Sequence, residues 1–285
     1  MTSTPTCTVC GAHATEYAVK NTHTLYRCTG CGLVFVFPIP DPTELYSEGY
    51  FTGASVHMGY ANYDADKEPM IPTFETYLAY IDRFAPGKRL LDVGAATGFF
   101  LDIARRKGFV VSGVELSEYA ATCATQKGLS VIAGTLQDVP RTEQFDTVTM
   151  LDVIEHVGDP RAECVRAHTL LAPGGVLIIN APDIGSLYAR ILGKRWHLIV
   201  PPEHLFYFNR KNIRHLLEQT GYEVCLITTV GKRFTLQLIF KTLFVWQKLK
   251  VWKWFSDLCA RSWLRHIWLP INLGDNMFVV ARKRA

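Results

Sequence analysis

Long apolar runs are absent from this sequence. Its 285 residues hold no stretch of eighteen or more consecutive apolar side chains, which argues against a membrane-spanning helix. The N-terminus, MTSTPTCTVCGAH, lacks the basic start and apolar centre of a secretory signal, so a cytoplasmic protein is expected. A strong charge of one sign is also missing. The net charge is only +4, and the bulk balance therefore points to no nucleic-acid partner. Internal repeats and low-complexity segments are lacking too. What remains is 48% hydrophobic and 20% charged, enough to bury a sizeable core.

The eight cysteines are expected to be reduced in such a compartment, and four of them are spaced for a metal. Cys7, Cys10, Cys28 and Cys31 read C-x2-C-x17-C-x2-C, within zinc-ribbon spacing. Two residues between paired cysteines let both thiolates face one ion from a tight turn. Gly11 and Gly32 follow each pair and supply the backbone freedom of such knuckles. About thirty residues cannot build a core alone, so zinc would supply the folding energy, and four thiolates leave no open position for catalysis. The expected zinc is structural. Cys123, Cys164, Cys225 and Cys259 read as plain buried residues. The chain thus divides into a zinc-binding module at 1–40, a linker packed on the core at 41–73, and a main domain at 74–285.

From about Phe74 onward, strand and helix signals alternate. Apolar runs at Leu90–Val93, Val110–Leu116, Val131, Phe145–Met150, Val176–Asn180, Val224–Thr228 and the terminal NMFVVAR predict seven strands. Between them lie helices at Phe99–Lys107, after Ser117, from Asp159, and at Asn209–Gln219 with Gly221 closing the last. Repeated strand–helix units imply an α/β fold, a doubly wound seven-stranded, mostly parallel Rossmann-like sheet. In such a sheet ligands bind beyond the carboxyl ends of the strands.

The segment LLDVGAATGFF places a loop of small residues at that position. A dinucleotide loop would read G-x-G-x-x-G, whereas this one reads D-x-G-x-A-x-G through Asp92, Gly94, Ala96 and Gly98. A triphosphate loop would continue Gly-Lys-Ser/Thr, and Gly98 is followed by two phenylalanines. The next strand ends in GVEL, where Glu115 could accept from both hydroxyls of a ribose and would disfavour a phosphorylated one. Together with FDTVTMLDVIEHVGDP and LLAPGGVLIINAP, these residues resemble the class I S-adenosylmethionine-dependent methyltransferases from about Leu90 to the C-terminus. The resemblance implies that Asp92, Gly94, Ala95, Gly98 and the loop amides face the methionine part of S-adenosyl-L-methionine. It implies Glu115 and Leu116 at the ribose, Thr135 and Leu136 near the adenine, and Leu151 and Asp152 along the pocket.

Transfer from a sulfonium needs mainly alignment of the nucleophile and removal of its proton. Asp152, Glu155 and His156 stand at i, i+3 and i+4, and on a helical turn they would share one face. His204 follows in VPPEHLFYFN, a segment similar to the substrate side of the ubiquinone-pathway O-methyltransferases. Three roles stay open for these groups. His156 or His204 acts as a general base; or an E-x-x-E-H-like turn plus a distant histidine holds Mg²⁺, as in small-RNA 2′-O-methyltransferases that this region resembles; or His156 and Glu155 only pack and cap.

The region before the last strand, about 231–270, reads as a helical insertion. It carries eight Lys or Arg and one Asp, so its net charge is 8 − 1 = +7, with five of the six tryptophans. Lys250, Lys253, Asp257, Arg261 and Arg265 form a polar stripe opposite Trp252, Phe255, Cys259 and Trp263. A lid or dimer face, a membrane-surface contact through 234–268, and nucleic-acid binding all fit such a piece, the last least well. The expected activity is methyl transfer to a hydroxyl of a small molecule, glycan or lipid-linked sugar, the acceptor pocket lying after Pro182 with Arg190, Lys194 and Arg195 within reach. RNA methylation gripped by the zinc module is the alternative, as is C-methylation of a nucleotide deoxysugar; the sugar C-methyltransferases that the chain resembles carry a further C-terminal domain not found before Ala285.

Overall fold

A computed structural model of the chain describes residues 5–40, 63–260, 264 and 267–284. Most of the expected linker, 41–62, and Arg261, Trp263 and Arg265 of the insertion lie outside the described residues.

The cysteine-bearing segment folds as a meander of β1 (Ala14–Lys20), β2 (His23–Cys28) and β3 (Val34–Val36). All three residues of β3 are buried, more than a thirty-residue module could cover by itself. The cover comes from elsewhere in the chain. A two-residue strand, β9 (Phe206–Tyr207), pairs antiparallel with β3 and completes a four-stranded sheet in the order β1-β2-β3-β9. The sequence reading has no strand at 206–207, because two aromatic residues carry no periodicity.

The main sheet has seven strands, as expected. They are β4 (Arg89–Val93), β5 (Val110–Glu115), β6 (Val131–Ala133), β7 (Phe145–Leu151), β8 (Leu171–Pro182), β10 (Tyr222–Thr228) and β13 (Asn276–Lys283). Their order is β10-β13-β8-β7-β4-β5-β6. Strands β4 to β8 run parallel, and β13 lies antiparallel between β8 and β10. Eight consecutive buried residues of β8 show why its pattern reads as a solid apolar run, since helices cover both faces of the sheet.

Helices begin where local chemistry starts them. α1 (Tyr63–Lys67) lies in the segment read as linker, and α2 (Ile71–Phe84) runs from its last residues into the main domain. Pro69 and Pro72 stand in first helical turns, where a missing N–H costs nothing, and Phe74, Tyr77, Leu78 and Ile81 bury one face of α2. α3 (Phe99–Arg106) follows the glycine loop, and α4 (Glu118–Gln126) is capped by the Ser117 side chain. α5 (Pro160–Leu170) is capped by Asp159, α6 (Leu187–Leu192) by Ser186, and α7 (Arg210–Gln219) by Asn209.

The insertion is helical, with an addition. α8 (Leu236–Gln247) and α9 (Lys250–Ala260) stand on a ribbon of β11 (Lys232–Thr235) paired with β12 (Trp268–Ile271). Phe240 stacks on Trp252 and Phe255 between the helices, at 6.0 and 5.2 Å between ring centroids. Of the four cysteines read as plain buried residues, Cys164 and Cys259 are buried, but Cys123 and Cys225 are only half-buried. Both sit in elements with one face toward solvent, so an apolar context did not imply full burial.

Candidate functional site

The loop after β4 turns on three residues with positive φ, Gly94 at 70°, Ala96 at 48° and Gly98 at 78°. At Gly94 a side chain would strike Val153 at 2.7 Å, and at Gly98 it would strike Leu129 at 2.4 Å. Ala96 occupies a conformation that usually favours glycine, and its amide donates to Glu115 Oε2 at 2.8 Å. Glu115 Oε1 accepts from the amide of Ser117 at 2.8 Å, so one buried carboxylate ties the loop to the start of α4. The carboxylate keeps unused lone pairs for hydroxyl donors.

The loop amides do not face outward as expected. Those of Gly94 and Ala95 donate to the Val114 carbonyl at 2.9 and 3.1 Å, and that of Gly98 to Ala95 at 2.8 Å. A pyrophosphate would forfeit these donors, whereas a ligand with a positive sulfur and ammonium needs acceptors instead. Asp92 supplies one. It is 4% exposed and accepts from Thr149 Oγ1 at 2.6 Å; burial pushes its pKa up to about 7 against the lowering by Thr149, with Glu115 adding to the rise. Burial also raises Glu115, opposed by the amides of Ser117, Ala96 and Leu116.

A cleft open to solvent lies against this loop. Asp92, Gly94, Ala95, Leu151 and Asp152 line it, together with Tyr63, Lys67, Met70, Phe74 and Tyr77, which the sequence does not single out. Glu115, Leu116, Thr135 and Leu136 are outside this lining. They follow the ends of β5 and β6, the next strands along the sheet. Leu136 is buried in the core, and exposed Thr135 caps a short turn together with Asp138.

Asp152 has φ +57° and is held from two sides. Lys232 of β11 donates to its two oxygens at 3.1 and 3.0 Å, and Asn180 Nδ2 donates at 2.5 Å. Tyr77 Oη completes the chain on Asn180 Oδ1 at 3.1 Å. Burial by itself would raise Asp152, but Lys232, Lys67 and these bonds hold it below the usual carboxylate range. A carboxylate so held is engaged by Lys232 and Asn180. Lys232 was missed because it sits eighty residues away at the start of the insertion, with nothing local to mark it.

Glu155, His156 and His204 do meet, their ligating atoms lying within 4.8 Å of one another. Asp152 is not part of this group, so the expected Asp152–Glu155–His156 face is replaced by Glu155–His156–His204. Residues 152–156 form a turn rather than a helix, and the i, i+3, i+4 geometry therefore does not hold. The rings of His156 and His204 sit edge to face at 4.8 Å. His156 Nδ1 lies 2.6 Å from the Glu203 carbonyl and His204 Nδ1 2.8 Å from that of Leu198. A carbonyl only accepts, so each Nδ1 carries the proton and each Nε2 keeps its lone pair. His156 Nε2 is 3.9 Å from Glu155 Oε1, and the buried Glu155 Oε2 has no hydrogen-bond partner among the described residues. Burial lowers both histidines, His204 to about 3, with the neighbouring ring adding to the effect, and it raises Glu155 well above its ordinary value. Two neutral imidazoles and an orphaned carboxyl oxygen suit a proton acceptor or a divalent ion. Imidazole donors fit zinc or manganese better than magnesium, which takes oxygen ligands.

The four N-terminal cysteines also converge. Cys7 and Cys31 are 3.6 Å apart at sulfur, Cys10 and Cys28 are 3.3 Å apart, and all four sulfurs lie within 4.8 Å. A tetrahedral zinc with Zn–S near 2.3 Å needs sulfurs about 3.8 Å apart, and the cluster fits. Gly11 and Gly32 both turn at φ +73°. Burial pushes the Cys7 thiol up to about 11 and Cys31 higher still, so charge on these sulfurs calls for a cation among them.

Residues 70–227 match the family model described as a methyltransferase domain, just over half of the chain. A ubiquinone biosynthesis O-methyltransferase of Hahella chejuensis is 32% identical over 157 residues, 49% of this chain and 65% of that protein. The Paracidovorax citrulli enzyme of the same name is 36% identical over 112 residues, 34% of this chain and 46% of that protein. The chain thus spans about half the length of the curated relatives it matches. Among solved structures, magnesium protoporphyrin IX methyltransferase of Synechocystis with bound SAH is similar with a TM-score of 0.54 at 16% identity, covering 86% of this chain and all of that one. A SAM-dependent methyltransferase of Thermotoga maritima gives 0.52 at 21% identity, covering 78% and 94%. With its seven-stranded sheet, its glycine loop braced by Glu115 and this match over 70–227, the chain belongs to the methyltransferase domain family.

Proposed function

We propose that the protein transfers the methyl group of S-adenosylmethionine to a hydroxyl oxygen of a small molecule, glycan or lipid-linked acceptor. The carrying observation is the loop after β4, whose amides are spent on Val114, Glu115 and Ala95 while the buried carboxylates Asp92 and Glu115 remain beside it. That surface favours a cationic adenosyl ligand over a phosphate. The acceptor oxygen attacks the methyl carbon in line, the carbon–sulfur bond breaks, and its electron pair stays on sulfur as a thioether. The hydroxyl proton passes to the His156–Glu155 pair, which follows the cleft-lining Asp152 by a few residues in the chain. The 32% identity to ubiquinone biosynthesis O-methyltransferases supports oxygen as the acceptor atom.

A second reading has its own observation. The orphaned Glu155 Oε2 beside two Nε2 lone pairs would hold a divalent ion, which would draw an acceptor hydroxyl toward its ionised form. Zinc in the cysteine module is structural in this account. The outer face of α9 presents Val251, Trp254 and Leu258 at 48, 60 and 42% exposure, beside Lys250 and Lys253. An anionic lipid surface is the occupant that matches both the apolar stripe and the charge. The test is a panel of hydroxylated acceptors scored by S-adenosylhomocysteine formation, with His156→Ala and with and without EDTA. Turnover lost in His156→Ala but indifferent to EDTA supports the base; loss with EDTA supports the ion. No turnover on any hydroxyl, with methylation of carbon or RNA instead, would overturn the proposal.

A further inference from the structure

We infer that the four-cysteine module is a positioning element for the Glu155–His156–His204 cluster, acting through β3 and β9. This rests on the proposed role of that cluster. Val34 and Phe35 of β3 pair with Tyr207 and Phe206 of β9, and the Val36 amide donates to the Leu205 carbonyl at 2.9 Å. On the opposite side, the amides of Leu205 and Phe206 both donate to the Glu155 carbonyl at 2.8 and 3.1 Å. Segment 205–207 is therefore a bridge one strand wide, with the module on one edge and Glu155 on the other. His204 is the residue immediately before it, and Tyr207 Oη returns to the His204 carbonyl at 2.8 Å. The Glu203 carbonyl, one step earlier, meets His156 Nδ1 and so fixes the second imidazole.

Two further contacts clasp the segment to the module. The ring of Phe35 stacks on that of Phe206 at 6.5 Å, and Asn21 Nδ2 donates to the Pro201 carbonyl at 2.8 Å. Packing is continuous as well: Cys7, Val9, Leu25 and Val34 belong to the same buried cluster as Ile154 and Phe206. A merely attached module would need none of this. A two-residue strand cannot hold its own geometry, since its hydrogen bonds are all to other segments, and β3 is what it pairs with. The adenosyl loop, by contrast, is braced by β5 and Glu115 and has no bond to the module among the described residues. The module should thus tune one end of the site and leave the other alone.

Phe35→Ala removes the stacked ring and Asn21→Ala the second clasp, leaving every cysteine and every cofactor-loop residue in place. Amide exchange at Leu205 and Phe206, the ring resonances of His156 and His204, and calorimetric affinity for S-adenosylhomocysteine are measured on the full chain. Exchange at both amides is expected to quicken at least tenfold in Phe35→Ala and severalfold in Asn21→Ala. The His204 resonance should move, while S-adenosylhomocysteine affinity changes less than twofold. Unchanged exchange and histidine resonances in both variants would overturn the inference, as would an equal loss of S-adenosylhomocysteine affinity, which signals general unfolding. A chain that binds no S-adenosylhomocysteine at all contradicts the proposed function, while the exchange and resonance readings still judge the positioning role separately.

Discussion

At the scale of single residues, the site is organised by two carboxyl groups, Asp92 buried and Asp152 partly exposed, whose pKa values are pushed in opposite directions. Burial pushes Asp92 up to about 7 in the ligand-free chain, while Lys232 and Lys67 hold Asp152 below its ordinary value. The sign for Asp92 follows from linkage. Its folded value lies above the unfolded one near 3.8, so its contribution to stability is complete below that value and is lost as pH rises toward 7. Asp92→Asn keeps an acceptor for Thr149 and removes the charge. Its stability relative to the parent should therefore grow between pH 5 and pH 8, by an amount on the order of 2–4 kcal/mol, in urea denaturation of the ligand-free protein. A difference that stays constant with pH would show that Asp92 is not the group titrating. Lys232→Met should leave Asp152 with Asn180 alone and cost about 1 kcal/mol of stability, since the Asp152 side chain is 40% exposed and solvent screens the pair.

At the scale of elements, the insertion joins the two ends of the problem. Its ribbon places Lys232 on Asp152, and its second helix turns an apolar stripe outward. Replacing Val251 and Trp254 together by glutamate should abolish cosedimentation with anionic vesicles at low salt without moving S-adenosylhomocysteine affinity. Retained cosedimentation would assign that face to another partner, and a parent chain that never sediments would remove the lipid surface from the account. The seven strands were legible in the sequence because each is a short apolar run between turn signals, and the helix starts because Ser117, Asp159 and Asn209 are capping residues. The ribbon of β11 and β12 was not legible, since its halves are separated by two helices and its register is set by tertiary pairing. Nor was the approach of β9 to β3, which joins residues some 170 positions apart. At the site, the four cysteines and the glycine loop could be read from local spacing. Lys232, Asn180 and Tyr77 could not, and the assumed helical face through Asp152 failed because that turn bends through a positive φ.

At the scale of the whole molecule, charge is separated between two regions. The insertion carries +7 of a total of +4, so the remaining residues sum to 4 − 7 = −3. The glycine loop and the Glu155–His156–His204 cluster thus belong to a slightly acidic remainder, and the excess positive charge lies in the insertion. One sheet continues from the cysteine module into the cluster, and a second carries the adenosyl loop. The central claim is that this loop receives an adenosyl sulfonium substrate and its thioether product, with Glu115 reaching the ribose while bracing Ala96. Calorimetric titration of the purified chain with S-adenosylhomocysteine tests it most directly, run beside Glu115→Ala and beside NADH. Saturable one-site binding is predicted for the parent, weakened about ten- to a hundredfold by the alanine, or about 1.4–2.8 kcal/mol, with no heat from NADH. Heat from NADH, and none from S-adenosylhomocysteine, would contradict the account.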